Sequence, residues 1–149
     1  MFKNPFIIKG GVHIDKRGTL KFVNDFSLEH IKRFYIIHCN KRIIRAWQGH
    51  KKEFKYFYPI KGEFKIYTVK IDEWLDPSEN LEAEEFILTE KNNEVLVVPA
   101  GYANGIFAMQ NDSILLVFSN LNIEEAKNDL FRFDQNLWVD WENKIKELI

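Results

Sequence analysis

Cysteine is almost absent. Cys39 stands alone in the chain, which excludes an internal disulfide and fits a reducing compartment. It lies in the apolar run FYIIHC, where a free thiol is expected to be a small buried hydrophobe. No stretch of 18 apolar residues occurs, so a membrane-spanning helix is not expected. The opening MFKNPFIIKGG is too short and too weakly apolar for a secretory leader. Neither sign of charge dominates: 21 Lys and Arg face 22 Asp and Glu, for a net charge of −1. That balance supplies no field for nucleic acid or an anionic membrane. There is no repeat, linker or low-complexity tract. No carboxylate pair suggests glycosidase chemistry, and neither GxSxG nor a phosphate-cradling glycine loop is present. What is expected is a soluble, cytoplasmic protein of one domain over 1–149.

Aromatic residues are abundant, at 15% with 13 phenylalanines, which points to a dense core or an aromatic-lined cavity. Before residue 120 nearly every regular segment reads as strand: 20–26, 31–38, 41–48, 54–60, 63–71, 84–89, 94–99, 105–109 and 114–119. These runs are β-branched and aromatic, and KG, DPSEN, EKNNE, PAGYANG and QNDS punctuate them. EFKIYTVKI alternates, with Phe64, Ile66, Thr68 and Lys70 on one face and Lys65, Tyr67, Val69 and Ile71 on the other. EVLVVP is apolar throughout, as a strand buried on both faces would be. Short strands at spacings near ten residues predict an all-β sandwich or barrel. The tail differs: 123–131 and 137–149 read as helices, with Leu137, Trp141, Ile145 and Leu148 forming an apolar stripe for packing.

Three stretches carry chemistry. Arg45 lies between Ile44 and Ala46, so its guanidinium is expected to be partly buried beside an anionic partner. His50 falls two residues after Gln48 on an extended run, which places both on one side of a sheet. Pro99 and Gly101 shape a tight turn, and Gly105 permits a second one. His13, His30 and His38 are isolated, and the acidic pairs Glu84–Glu85 and Glu124–Glu125 read as solvated surface.

With GEFKIYTVKI and PAGYANGIF, these stretches resemble the cupin, or jelly-roll, superfamily. Metal-binding cupins carry HxH, then Glu and Gly, and later PxGxxH. Aligned on Gly62 and on Pro99–Gly101, this chain has Gln48, His50, Lys55 and Asn104 at the four ligand positions. An ammonium in place of an anionic ligand repels a divalent ion, so neither a metal nor another cofactor is expected. Over residues 13–120 the chain resembles more narrowly the dTDP-4-keto-6-deoxyglucose 3,5-epimerases and the dTDP-sugar 3,4-ketoisomerases. The residues that carry this likeness are Lys32-Arg33-Phe34-Tyr35-Ile36, RAWQGHK at 45–51, the spacing of Lys55 to Gly62, and PAGYANGIF.

The resemblance implies a jelly-roll barrel over about 13–120 with a short helical tail over 123–149. It also implies a homodimer in which the apolar N-terminal residues Phe2, Pro5, Phe6, Ile7 and Ile8 cross between subunits. The implied substrate is a nucleotide-linked deoxysugar. Both families place a basic histidine where this chain has Gln48, and an amide cannot abstract a proton at neutral pH. His50 is therefore the expected base, Lys55 the electrophilic partner and Tyr35 the proton donor. Arg33, Arg45, Gln48 and Asn104 are expected to bind substrate, with Trp47, Tyr56, Tyr58, Tyr102 and Phe107 as stacking surfaces. Phe118 replaces the epimerases' tyrosine acid. The competing expectation is a binding protein that kept the pocket and lost its base.

Overall fold

The alternating segments fold into two five-stranded antiparallel sheets, seen in a computed structural model that describes residues 3–148. The strands are β1 (Phe6–Lys9), β2 (Gly11–Asp15), β3 (Gly18–Phe22), β4 (Arg33–Cys39), β5 (Ile44–His50), β6 (Lys55–Lys61), β7 (Glu63–Lys70), β8 (Ala83–Thr89), β9 (Glu94–Val98), β10 (Tyr102–Ala108), β11 (Ser113–Ser119) and β12 (Phe131–Arg132). One sheet runs β1-β9-β6-β11-β4 and the other β12-β5-β10-β7-β8, while β2 and β3 form a separate hairpin. This is the expected jelly-roll barrel. Period-two patterning accounts for it: in β11 every odd residue from Ser113 to Ser119 is buried. Phe57, Phe64, Ile66, Leu88, Leu96, Leu115 and Val117 meet between the sheets. β9 is buried along almost its whole length, and Cys39 packs in the same core.

A second apolar layer covers the outside of the other sheet. Trp47, Tyr67, Val69 and Phe107 project outward there and are covered by the tail, chiefly Trp141. Trp141 meets the rings of Tyr67 and Phe107 edge-on at centroid distances of 5.3 and 5.9 Å, a favoured aromatic geometry. The tail is much less helical than the stripe suggested. Only α1 (Ile123–Lys127) and α2 (Trp141–Lys146) are helical. The first stops because Asp129 turns back onto the 51–53 loop and Phe131 pairs with Gly49. The second starts late because Trp138 takes a positive φ of 66°, and Asp140 then caps the helix by accepting from the Asn143 N–H. Leu137 and Leu148 still pack on the sheet, as the stripe requires. No helix among the described residues is long and apolar enough to cross a membrane.

The N-terminal strand departs from expectation. β1 pairs with β9 of its own chain, Phe6 opposite Val97 through Lys9 opposite Glu94. Ladder hydrogen bonds within the barrel thus hold Phe6, Ile7 and Ile8, which the resemblance had sent across to a partner. Phe2 lies outside the described residues.

Candidate active site

The site depends on an irregularity in β5. Its pairing with β10 sets Gln48 opposite Asn104 and Arg45 opposite Ile106, so two residues on β5, Ala46 and Trp47, face the single Gly105 on β10. The extra residue is a β-bulge, which re-aims side chains on the bulged strand. Ala46 and Trp47 both join the outer aromatic layer, whereas Arg45, Gln48 and His50 all line an inner cavity. Arg45, expected to be partly buried beside an anion, is instead exposed and makes no ion pair among the described residues. Strict alternation would have sent Arg45 outward with Trp47. Gly105 lies across from the bulge, and a Cβ there would come within 2.9 Å of Trp47 and 3.0 Å of Trp141.

The cavity holds about 270 Å³. Arg33 and Tyr35 reach it from β4, Lys55 from β6 and Asn104 from β10, and Ile123, Ala126 and Leu130 close it on the α1 side. Among the described residues, the buried side-chain polar atoms without a protein partner include Arg33 Nε, His50 Nε2 and Asn104 Nδ2. All three belong to residues that line this one cavity. A further such atom, Thr68 Oγ1, belongs to the residue paired with Asn104 across β7 and β10. Buried polar groups are nearly always satisfied, and each that is not costs about 1–3 kcal/mol. Their convergence marks a place built to receive polar atoms from a ligand.

His50 is 4% exposed. Its Nδ1 lies 3.1 Å from the backbone carbonyl oxygen of Asp129 and 3.3 Å from Glu53 Oε1. A carbonyl oxygen can only accept, so the ring proton sits on Nδ1 and Nε2 keeps its lone pair. Burial and the Lys55 ammonium pull the imidazole pKa down to about 4, against the opposing pull of Glu53 and Asp129. The ring is therefore neutral at pH 7, with an unprotonated nitrogen inside the cavity.

Lys55 Nζ lies 3.4 Å from Gln48 Oε1 and 4.0 Å from Glu53 Oε1. Burial lowers its pKa to about 8, Glu53 partly restoring it while Arg33 and Arg45 lower it further. It remains mostly a cation at neutral pH. Tyr35 is pushed up to about 12 by burial and by Glu53, with Arg33 and Arg45 opposing, so its hydroxyl stays a proton donor. The Arg33 guanidinium lies over the Tyr35 ring, 5.0 Å from its centroid.

Two residues that sequence reasoning overlooked organise this chemistry. Glu53 is 2% exposed; its Oε2 accepts from Arg33 at 3.0 Å and from the Ser119 hydroxyl at 2.5 Å. The Asp129 carboxylate accepts the backbone N–H groups of Lys51, Lys52 and Glu53 at 3.1, 2.9 and 2.8 Å. It thereby fixes the loop that carries Glu53 below His50. Nothing local distinguishes Glu53 in KKEFK from a solvated acid.

Several expected stacking residues lie elsewhere. Trp47 is 1% exposed in the outer layer and donates its indole N–H to the Leu137 carbonyl at 2.9 Å; simple alternation with Gln48 and His50 already turns it away from the cavity. Phe107 shares that layer. The Tyr58 hydroxyl is bonded to Asn93, and the Tyr56 ring packs on Phe26 at 5.4 Å. Tyr102 faces a neighbouring cavity of about 630 Å³ with Thr68, Lys70 and Glu84, and its hydroxyl donates to Asn4 at 3.1 Å. Phe118 packs on Phe26 and Phe34 outside the barrel, and the inward position beside it is held by Ser119. Glu85 is not a free surface acid either, since it accepts from the Tyr67 hydroxyl. Among the described residues no group of three or more His, Cys, Asp or Glu is placed to hold a metal ion.

No protein-family model and no curated protein sequence matches the chain. Solved structures do. The rmlC epimerase of Mycobacterium tuberculosis superposes with a TM-score of 0.74 at 18% identity, covering 93% of this chain and 74% of that one. A sugar 3,4-ketoisomerase from Thermoanaerobacterium thermosaccharolyticum, solved with TDP, gives 0.68 at 22% identity, covering 99% and 98%. A dTDP-6-deoxy-D-glucose-3,5-epimerase from Legionella pneumophila, solved with dTDP-4-keto-L-rhamnose, gives 0.73 at 16%, covering 92% and 78%. The chain has the fold of these sugar-nucleotide epimerases and ketoisomerases.

Proposed function

We propose that this protein is a sugar-nucleotide isomerase or epimerase acting on a dTDP-linked, or similar, 4-keto-6-deoxyhexose. The observation that carries the reading is the His50 Nε2 lone pair, unpartnered in a cavity that also presents Arg33, Arg45 and Lys55. A neutral nitrogen base beside fixed cations suits removal of a proton next to a ketone. Nε2 takes that proton, and the electron pair moves onto the ketone oxygen as an enolate. Lys55 or Arg45 stabilises the developing charge, and the remaining cation holds the diphosphate. Tyr35 returns a proton at another carbon or face. A bound diphosphate would also offset the ammonium that depresses His50, so substrate strengthens its own base. Gln48 and Asn104 offer hydrogen bonds without basicity.

The role follows from the substrate: a cytoplasmic step in making a surface polysaccharide. A homodimer belongs to the same reading. Support for it comes from exposed apolar residues on the β2–β3 hairpin, Val12, Ile14 and Leu20, and from Phe34 and Ile36 on the edge strand β4, surfaces that proteins tend to cover. Light scattering is expected to give twice the monomer mass of 17.8 kDa; the monomer mass at micromolar concentration refutes it.

The reading is tested by incubating the protein with dTDP-4-keto-6-deoxyglucose in deuterated water. Solvent deuterium at a carbon next to the ketone, or a new keto-sugar, is expected. Tight binding with neither result would instead identify a sugar-nucleotide-binding protein that has lost its chemistry.

A further inference from the structure

Glu53 divides its two oxygens between different tasks. Oε2 is anchored by Arg33 and Ser119. That anchoring aims Oε1 at His50 Nδ1, 3.3 Å away, with Lys55 Nζ at 4.0 Å on the same oxygen. A carboxylate present only to neutralise Arg33 and Lys55 would have no need to face the ring. The side chain is nearly sealed from solvent, where the screening that weakens surface ion pairs does not reach.

We propose that Glu53 is the positioning residue of a His50–Glu53 pair: beside the Asp129 carbonyl, which already fixes the Nδ1–H tautomer, its carboxylate steadies the ring and stabilises the imidazolium that forms when Nε2 accepts the substrate proton. This rests on the reading of His50 as the base and goes beyond it, since it names the group that gives His50 its strength. The step balances. One C–H bond breaks, its proton goes to Nε2, its electron pair goes to the enolate, and no proton passes on to Glu53. The charged groups facing His50 are Lys55 from β6, Glu53 from the turn before it, and Asp129 from the segment after α1. Lys55 opposes protonation, while Glu53 and Asp129 favour it. Asp129 is already committed to three backbone N–H groups, so its carboxylate serves the loop first. Glu53 is the carboxylate with an oxygen directed at the ring.

The test is Glu53→Gln in the full chain, with Glu53→Asp as the charge-retaining companion. Histidine ¹⁵N chemical shifts report the tautomer and titration of His50 without any need for turnover. Wild type is expected to show a protonated Nδ1 and a bare Nε2 at pH 7. In Glu53→Gln the His50 titration midpoint moves to lower pH, while the Nδ1–H tautomer, held by the Asp129 carbonyl, persists. In deuterated water kcat is expected to fall by about 10–100-fold, the range seen for groups that orient a histidine, with KM within about threefold. Glu53→Asp recovers part of both, and serves alone if the glutamine variant does not fold. An unchanged His50 titration in the variants overturns the proposal. So does a rise in KM at constant kcat, because a purely structural role would act through Arg33 and substrate binding. Absence of exchange in the wild-type protein would sink the isomerase reading, while the ¹⁵N titration still decides whether Glu53 and His50 are paired.

Discussion

The two faces of one sheet follow opposite rules. On the outer face of β5, β10 and β7, three tryptophan N–H groups of the aromatic layer are satisfied: Trp47 donates to Leu137 at 2.9 Å, Trp138 to Ser78 at 2.8 Å and Trp141 to Gln135 at 2.7 Å. On the inner face, His50 Nε2 and Asn104 Nδ2 are buried without partners, and cations outnumber the one carboxylate. The same strands supply both faces, and the bulge at Ala46–Trp47 separates them. A satisfied aromatic layer stabilises the fold. An unsatisfied polar layer stores capacity for a ligand, at a cost in stability that natural sites commonly carry.

The widest difference between the faces is expected from His50→Asn. Turnover should drop by about 100- to 10,000-fold, the usual worth of a general base, with nucleotide affinity nearly unchanged, because the base acts only in the chemical step. Full retained activity by exchange assay removes His50 from the mechanism. On the other face, Trp141→Ala is expected to cost about 3–5 kcal/mol in a denaturant titration, since it opens the layer over Tyr67 and Phe107. A loss below about 1 kcal/mol would show that the tail is not part of the core.

Stability should also depend on pH through the inner face. The folded pKa of His50, about 4, lies below its ordinary value of 6.5. Between those values the unfolded chain binds more protons, so stability falls as pH drops from 6.5 toward 4, by at most about 1.4 kcal/mol per pH unit from this group. For Lys55, depressed to about 8 from 10.5, the same sign makes stability rise as pH climbs from 8 to 10.5. Urea midpoints across pH 4–7 should lose part of their slope in His50→Asn; an identical slope contradicts the neutral buried ring. The smallest effect is expected from Asn104→Leu. Replacing an unsatisfied buried amide by an apolar side chain of similar size should leave stability within about 1 kcal/mol or raise it, while weakening substrate binding. A loss of several kcal/mol would mean that Asn104 serves the fold.

Much of this was legible in the residues. Alternation in EFKIYTVKI and continuity in EVLVVP placed β7 and β9, because a two-residue period follows directly from the pleat. The barrel gathers Arg33, Tyr35, Arg45, Gln48, His50, Lys55 and Asn104 around one cavity. Trp47 was misplaced although alternation with Gln48 and His50 already sends it outward; the inward turn of Arg45, by contrast, depends on a bulge that leaves no mark in the hydrophobic period. The tail helices were overextended because tertiary contacts of Asp129 and Phe131 override helical spacing. Glu53 and Asp129 went unnoticed for a similar reason. They are 76 residues apart in sequence, and their meaning lies in each other and in His50.

The most direct measurement is a crystal structure of His50→Asn with dTDP-4-keto-6-deoxyglucose bound, a variant able to bind but not to turn over. The expected result places the sugar in the cavity of Arg45, Lys55 and Tyr35. A carbon next to the ketone should then lie about 3–3.5 Å from the position of His50 Nε2, the separation of a reacting pair. A sugar seated beyond the reach of residue 50, in the neighbouring cavity of Thr68 and Tyr102 or outside the barrel, would contradict it.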